Sequence, residues 1–217
     1  PDDMPDPKHP SYQEAINRTL IDLLRATEGR ALVLFTSHSS LRTTLGAIKE
    51  PLARHNISVL GQGVDGSFRQ LTDRLRTNPG TALLGTSSYW EGVDVVGDAL
   101  SVVVIVKLPF PVPSEPVFEA RCELSPDPFN ELSVPKAVLK FKQGFGRLIR
   151  SNQDRGVCVV LDRRIITRRY GQSFLHSLPP SPVVVNSMHD LPYTAGRWLG
   201  TAEPAPVGYA HMGEDQW

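Results

Sequence analysis

Cysteine is scarce in this sequence, with Cys122 and Cys158 as the two thiols among 217 residues. Two thiols cannot build a disulfide framework, a four-cysteine zinc site or a four-cysteine iron–sulfur cluster within the chain. Long apolar runs are also missing, because no stretch approaches the ~18 consecutive apolar residues of a membrane span, and no signal peptide opens the sequence. We therefore expect a soluble, intracellular single domain with free thiols. Because the sequence begins at Pro1 without an initiator methionine, we expect it to be part of a longer protein.

The chain also carries no formal net charge, since 23 basic side chains balance 23 acidic ones. The balance is uneven along the chain, because residues 136–169 hold ten lysines and arginines against two aspartates. A basic zone on a neutral protein suggests a partner that carries phosphate. A solvated basic helix face explains the same pattern.

Short apolar runs alternate with helical patterns through most of the chain. Continuous valine, leucine and isoleucine runs are typical of strands buried on both faces, and their alternation with helices indicates a parallel sheet. We predict an α/β fold, an open parallel sheet of about six strands with helices on both faces. The predicted strands are Ala31–Phe35, Ile57–Leu60, Ala82–Gly85, Val102–Val106, Val157–Leu161 and Val183–Val185. The predicted helices cover Ser11–Thr27, where Ser11 and Glu14 form a capping box, and residues 39–54, 66–77, 136–149 and 165–178.

The predicted domain extends from residue 11 to residue 186. Residues 1–10 hold four prolines and three aspartates, which is typical of a linker or a cut edge. Residues 108–135 are rich in proline and predict an ordered but irregular excursion from the sheet. Residues 187–217 show no apolar period and predict a mobile or extended tail.

The first candidate segment follows strand 31–35. In open parallel sheets ligands bind at the carboxyl ends of the strands, so the residues after each strand are candidate site residues. Thr36 and Ser37 lie there and lead directly into a helix. Their hydroxyls and the free N–H groups of the helix start suit a phosphate. The alternative is that Ser39 caps the helix.

The second candidate segment follows strand 82–85. Thr86 and Ser87 offer hydroxyls that can hold a nucleic-acid backbone, and Asp94 can accept a hydrogen bond from a ribose hydroxyl. Trp90 can stack on a base or pack under the loop. Gly-Val-Asp is also ordinary loop chemistry, so both interpretations stay open.

The third candidate segment combines two arginines, a glutamine and two glycines. At 100° per residue, Gln143, Arg147 and Arg150 project from one face of the predicted helix. Paired arginines are fixed cationic groups that can stabilise charge on a transferring phosphoryl group. Gly144 and Gly146 each cost helix stability, which indicates that another backbone or a ligand approaches closely. A solvated basic face is the alternative.

Several phosphate-binding motifs are missing from the sequence. It contains no Gly-x-x-x-x-Gly-Lys-[Ser/Thr] loop, no Asp-Glu pair after a strand and no Gly-x-Gly-x-x-Gly fingerprint. The chain therefore has arginines fit for a phosphate without a phosphate cradle. It looks like half of an active site.

Taken in order, the three segments resemble motifs IV, V and VI of the second, C-terminal RecA-like domain of superfamily 2 helicases. Four stretches narrow the resemblance to the DinG branch of the XPD/Rad3-like DNA helicases, and it covers roughly residues 11–186. The stretches are Trp-Glu-Gly-Val-Asp-Val-Val-Gly-Asp at 90–98, Lys-Leu-Pro-Phe-Pro-Val-Pro at 107–113, Gln-Gly-Phe-Gly-Arg-Leu-Ile-Arg at 143–150 and Val-Val-Leu-Asp-Arg-Arg at 159–164.

The resemblance implies an ATP-dependent DNA helicase that translocates 5′ to 3′ on single-stranded DNA in repair or replication. ATP and Mg²⁺ would bind between this domain and a first RecA-like domain of the same parent chain, so the fragment alone is not expected to hydrolyse ATP. Some relatives carry an iron–sulfur cluster. Whether the parent protein has one stays open, and we expect none within this chain. The resemblance further implies a monomer of the bacterial cytoplasm or nucleoid with no membrane partner.

The resemblance also implies roles for individual residues. Arg147 and Arg150 are expected to reach the γ-phosphate, and one of them would act as arginine finger. Gln143 is expected to position the nucleotide or a water molecule. Those expected to couple the nucleotide to the DNA groove are Glu91, Gly92 and Asp94. Those expected at the DNA backbone are Thr36, Ser37, Thr86 and Ser87, with Trp90 beside the strand.

Two other function classes compete with the helicase interpretation. A non-catalytic nucleic-acid-binding module would use the basic zone to grip phosphates alone. A small α/β enzyme acting on a phosphorylated metabolite fits less well, because His38 has no evident catalytic partner and Cys158 lies within an apolar strand, where burial makes a thiol inert.

Overall fold

The computed structural model describes residues 1–91, 99–112, 115–148 and 155–201. Over these residues the strands are β1 (Ala31–Leu34), β2 (Ser58–Gly61), β3 (Thr81–Gly85), β4 (Val102–Ile105) and β5 (Val157–Val160). They form one sheet in the order β2-β3-β1-β4-β5, and every neighbouring pair is parallel. The predicted α/β fold with an open parallel sheet is confirmed.

Helices cover both faces of the sheet. The helices are α1 (Tyr12–Ala26), α2 (His38–Ala53), α3 (Phe68–Thr77), α4 (Ser87–Glu91), α5 (Pro116–Glu123), α6 (Val134–Phe145), α7 (Arg164–Thr167), α8 (Gly171–His176) and α9 (Leu191–Leu199), and a π-helical turn covers Phe129–Ser133. Alternate residues of β1 separate the two sides of the sheet. Val33 belongs to a core cluster with α1, α2 and α9, whereas Leu32 and Leu34 belong to a second cluster with α3, α4, α6 and α8.

The predicted sixth strand does not form. Val183, Val184 and Val185 are each more than half exposed, and the described residues pair no strand with them. The carbonyl of the next residue, Asn186, instead accepts from the backbone N–H of Asp2 at 2.9 Å. The preference of valine for strands reflects how well its side chain packs on a pleated, half-buried surface. These three valines have no such surface to pack against.

The predicted linker and the described part of the predicted tail both pack on the domain. Met4 is fully buried in the cluster that contains α1, so the proline-rich first residues pack on the domain. After residue 187 the chain forms α9, which packs on α1 with Ala195 and Gly196 buried. Small residues allow this close approach, but they leave little apolar period for a sequence pattern to detect. Residues 202–217 lie outside the described part of the chain.

Several helix boundaries also differ from the prediction. Ser11 makes no capping bond, because its hydroxyl bonds the ring Nδ1 of His9 at 2.7 Å. The expected helix at 165–178 is divided into α7 and α8, and the excursion after β4 contains α5 and the π-helical turn. No helix among the described residues has the length and apolarity that a bilayer crossing requires.

Both thiols are half-buried, but Cys158 lies in β5 and packs against the second core cluster, and the consequence for its reactivity can be measured. Burial raises the pKa of the Cys158 thiol to about 12. The thiolate is the reactive form and would appear only as the pH rises toward that value. At about pH 8, a thiol reagent should therefore modify Cys122 in the folded chain and both cysteines after denaturation, as read by mass spectrometry. Rapid modification of both in the folded chain would contradict this assignment.

Candidate functional site

Thr36 and Ser37 lie where β1 ends and α2 begins, and both side chains are exposed. The Ser37 hydroxyl accepts from the Ser40 backbone N–H at 3.4 Å, so Ser37, and not Ser39, caps the helix. Capping uses one lone pair of an exposed hydroxyl. The capping and phosphate-binding interpretations are therefore compatible.

A pocket of about 310 Å³ opens beside this turn. Thr36 and Ser37 line it together with Lys107, which follows β4, and with His9 and Gln13 from the start of the chain. Lys107 was not selected from the sequence as a site residue, although its place just after a strand is the signal that identified Thr36. The pocket combines hydroxyls, the start of a 16-residue helix and a cation, which together suit an anionic group.

Thr86 is buried at the end of β3, and its hydroxyl bonds within the protein. The hydroxyl donates to the Gln62 side-chain carbonyl at 3.0 Å and lies 3.1 Å from Nε2 of His38, while the Thr86 backbone N–H donates to the same Gln62 oxygen at 2.7 Å. The Thr86 hydroxyl therefore lies between the Gln62 side-chain oxygen and the His38 ring.

Gln62 was missed by sequence reasoning, although it follows β2 directly. Besides holding Thr86, its side-chain amide donates to the Ser88 hydroxyl at 2.9 Å. Gln62 thus joins the carboxyl ends of β2 and β3, and through Thr86 it reaches His38 at the start of α2. Ser87 itself is exposed at the first position of α4.

Trp90 packs under the loop, the second of its two possible roles. The side chain is fully buried, and its indole N–H donates to the Phe35 carbonyl at 3.1 Å. A ring with no exposed surface cannot stack on a base in this conformation. Its role here is to tie α4 to the end of β1.

Gly144 is where α6 meets Trp90. A Cβ added at residue 144 would lie 2.8 Å from the indole ring of Trp90 and 3.0 Å from a methyl group of Leu34. The group that approaches the helix closely at Gly144 is therefore the Trp90 side chain, where the sequence had suggested another backbone or a ligand. Gly146, by contrast, forms the C-cap of the helix.

Arg147 follows the end of α6, which stops at Phe145 instead of the predicted residue 149. Its backbone N–H bonds the Gly144 carbonyl at 3.2 Å in a tighter turn, and its Nε donates to the Gln143 carbonyl at 3.1 Å. The Arg147 guanidinium therefore contacts the backbone of Gln143. Glu91 closes α4, and the expected site residues Gly92, Asp94 and Arg150 lie outside the described residues.

A buried ion pair holds the ends of β4 and β5. The fully buried Asp162 carboxylate accepts from Arg164 Nη2 at 2.6 Å and from the Leu108 backbone N–H at 2.9 Å. The Tyr12 hydroxyl donates to the Val106 carbonyl at 2.5 Å, and its burial, followed by the negative charge of Asp162, raises the Tyr12 pKa. This polar group fixes the point at which the excursion leaves the sheet.

Among the residues that the structure describes, no group of three or more His, Cys, Asp or Glu side chains could hold a metal ion. We therefore assign no metal ligand to these described residues.

Comparison with a solved structure identifies the fold. The chain superimposes on XPD helicase with a TM-score of 0.62 and 19% sequence identity, which covers 78% of this chain and 31% of that one. The likeness concerns the fold: an open parallel sheet with helices on both faces, as in a RecA-like domain.

Comparison of sequences identifies the family. The model for the helicase C-terminal domain matches residues 20–181, and the chain belongs to that family. It is 42% identical over 182 residues to the ATP-dependent DNA helicase YoaA of Haemophilus influenzae and 40% identical over 183 residues to the 3′-5′ exonuclease DinG of Bacillus subtilis. Each match covers 82% of this chain but 28% and 20% of the relative. The predicted resemblance to the DinG branch is confirmed.

The contact between Trp90 and Gly144 can be tested by stability. Gly144→Ala should lower the free energy of unfolding by about 1–3 kcal/mol, because the added methyl group overpacks the indole ring. Gly146→Ala is the matched control, since the C-cap has φ −63° and the added Cβ comes no closer than 3.3 Å to a neighbouring atom. The control should change stability by at most about 1 kcal/mol. Equal urea midpoints for both variants would contradict the packing described.

Proposed function

We propose that this chain is the C-terminal motor domain of an ATP-dependent DNA helicase that moves 5′ to 3′ on single-stranded DNA in repair or replication. The family assignment and the DinG and YoaA relatives support the class of protein. Because the chain spans less than a third of those relatives, the activity belongs to a longer parent protein.

The observation that carries the proposal is the contact of Trp90 with both Phe35 and Gly144. Phe35 precedes the first candidate segment, Trp90 lies within the second and Gly144 lies within the third. Three stretches that are far apart in sequence therefore meet at one edge of the sheet. A motor domain needs this proximity, because DNA contacts and nucleotide contacts must move together.

Arg147 and Arg150 would reach the γ-phosphate of an ATP bound at the first RecA-like domain, one of them as arginine finger. Gln143 would position nucleotide or water, and Glu91, Gly92 and Asp94 would couple the nucleotide to the DNA. A guanidinium is permanently charged, so it can stabilise the charge that develops during phosphoryl transfer. The phosphate loop and the magnesium ligands would come from the other domain, and this chain alone should not hydrolyse ATP.

The DNA backbone would bind at the pocket beside β1. Thr36 and Ser37 would donate hydroxyl hydrogen bonds to a phosphate, and Lys107 adds the positive charge. Ser87 is exposed and available for a direct contact, whereas Thr86 would act by holding the loop. Trp90 would act from the core in the same way.

The nucleotide role predicts a large kinetic effect. In the parent protein, Arg147→Ala and Arg150→Ala should each lower ATP hydrolysis stimulated by single-stranded DNA, and the variant that removes the finger should lose roughly 10³-fold or more in kcat. A coupled phosphate-release assay measures this. Arg54→Ala is the control, because Arg54 is exposed just after α2 and paired with Glu50.

The same assay distinguishes the competing class. If both arginine variants hydrolyse ATP like the wild type while DNA binding weakens, the arginines serve binding alone and the protein is a nucleic-acid-binding module. Steady ATP turnover by the 217-residue chain would refute the assignment of the phosphate loop to another domain.

The phosphate pocket predicts a salt effect. Lys107→Ala should weaken binding of single-stranded DNA and reduce the slope of log K against log salt by about 0.7, the value for one phosphate contact on a single strand. Arg54→Ala removes the same charge away from the pocket and should leave the slope unchanged. Fluorescence anisotropy over a salt series gives both values, and identical slopes for Lys107→Ala and wild type would exclude the pocket.

A further inference from the structure

Gln62 holds a turn whose central residue is a proposed DNA contact. Its side-chain oxygen accepts from the Thr86 backbone N–H at 2.7 Å and from the Thr86 hydroxyl at 3.0 Å. Its side-chain amide donates to the Ser88 hydroxyl at 2.9 Å. Gln62 therefore contacts the residues on both sides of Ser87, whose own side chain is exposed.

The backbone that carries this side chain is fixed on two sides. The Gln62 N–H donates to the Leu84 carbonyl of β3 at 3.0 Å. The turn that follows is closed by Asp65, whose carboxylate accepts from the Gly61 N–H at 2.9 Å and pairs with Lys49. The half-buried side chain of Gln62 therefore starts from an ordered point at the end of β2.

The turn after β3 is also held from its other sides. Thr86 is buried, and its hydroxyl lies 3.1 Å from Nε2 of His38, the first residue of α2. Trp90 ties the end of α4 to the Phe35 carbonyl. Ser87 is thus an exposed residue between ordered neighbours, and a preorganised group loses less entropy when a ligand binds.

The side-chain bonds of Gln62 are directed at this turn more than at the sheet. The backbone ladder already joins β2 and β3 from Ser58 to Gly61. Both lone pairs of the Gln62 side-chain oxygen are used by Thr86, so this oxygen acts on its neighbours within the protein. What the three bonds add is a fixed position for the residues next to Ser87.

We infer that Gln62 is a positioning residue for DNA binding, which holds Thr86 and Ser88 so that the Ser87 hydroxyl can donate to a phosphate of the single strand. The inference rests on the proposed function and deepens it, because Gln62 lies outside the three candidate segments. A phosphate oxygen is an acceptor that a hydroxyl donor recognises without reading the base. Gln62 itself makes no contact with the DNA in this assignment.

The first test replaces Gln62 by a side chain of similar length that forms no such bonds. Gln62→Met in the 217-residue chain should weaken binding of an oligonucleotide of about 12 thymidines, measured by fluorescence anisotropy. The expected loss is about 2- to 12-fold, the range for one hydrogen bond, and Ser87→Ala should lose a similar factor. Gln172→Met is the matched control, because it makes the same change at an exposed position of α8.

A double variant separates positioning from a purely structural role. Gln62→Met combined with Ser87→Ala should bind no more weakly than the weaker of the two single variants, because both changes remove one contact. A residue that only stabilises the fold would instead give losses that multiply. The slope of log K against log salt should stay at the wild-type value for Gln62→Met, since no charge is removed.

A milder variant keeps the test valid if Gln62→Met unfolds the chain. Ser88→Ala changes an exposed residue and removes one of the three Gln62 bonds. It should weaken DNA binding less than Gln62→Met, and again without adding to the loss from Ser87→Ala. Urea unfolding of each variant shows whether a loss of binding accompanies a loss of structure.

The outcomes distinguish the positioning role from the proposed function. If Gln62→Met binds like the wild type, or if its loss multiplies with that of Ser87→Ala, the positioning role is wrong and Gln62 serves the fold alone. If Ser87→Ala binds like the wild type, the Ser87 contact and the positioning role both fail, while Lys107→Ala still reports on DNA binding. If the wild type does not bind the oligonucleotide, the DNA-binding function itself fails.

Discussion

Trp90 is the side chain on which the arrangement of the candidate site depends. Its ring is fully buried, and its indole N–H donates a hydrogen bond to the Phe35 carbonyl. The edge of the ring occupies the space that a side chain at position 144 would need. One aromatic group therefore sets the relative positions of the end of β1, α4 and the end of α6. Tryptophan suits this place because it fills a large volume and carries a single N–H, which a buried carbonyl can satisfy.

The other half of the carboxyl edge depends on Asp162. A fully buried carboxylate is costly unless it is paired and hydrogen-bonded, and Arg164 with the Leu108 backbone N–H provides both. Tyr12 adds a hydroxyl that stays protonated, because its burial and the nearby negative charge raise its pKa. These contacts hold the start of the excursion, and the ring contacts of Phe129 with Phe110 and Tyr170 hold its end. The chain between β4 and α6 is thus irregular in outline but fixed at both ends.

Much of the fold could be predicted because its strands are buried on both faces. The strands from β1 to β5 appear as continuous apolar runs, and their boundaries differ from the prediction by a residue or so. Val183–Val185 has the same composition without a neighbour to pair with, so its pattern predicted a strand that does not form. α9 was missed for the opposite reason, since Ala195 and Gly196 pack closely without providing an apolar period.

The sequence by itself determined the fold class, the order of the three candidate segments and the family, because apolar runs and short motifs are local properties. It also placed Thr36 and Ser37 correctly at the end of a strand. Only the tertiary structure decided that Trp90 lies in the core, that Gly144 makes room for it and that Gln62 holds Thr86. The physical reason is the distance along the chain between interacting residues. A local pattern shows which face of an element is apolar or which residue ends a strand. The partner of that face or hydroxyl comes from a distant part of the chain.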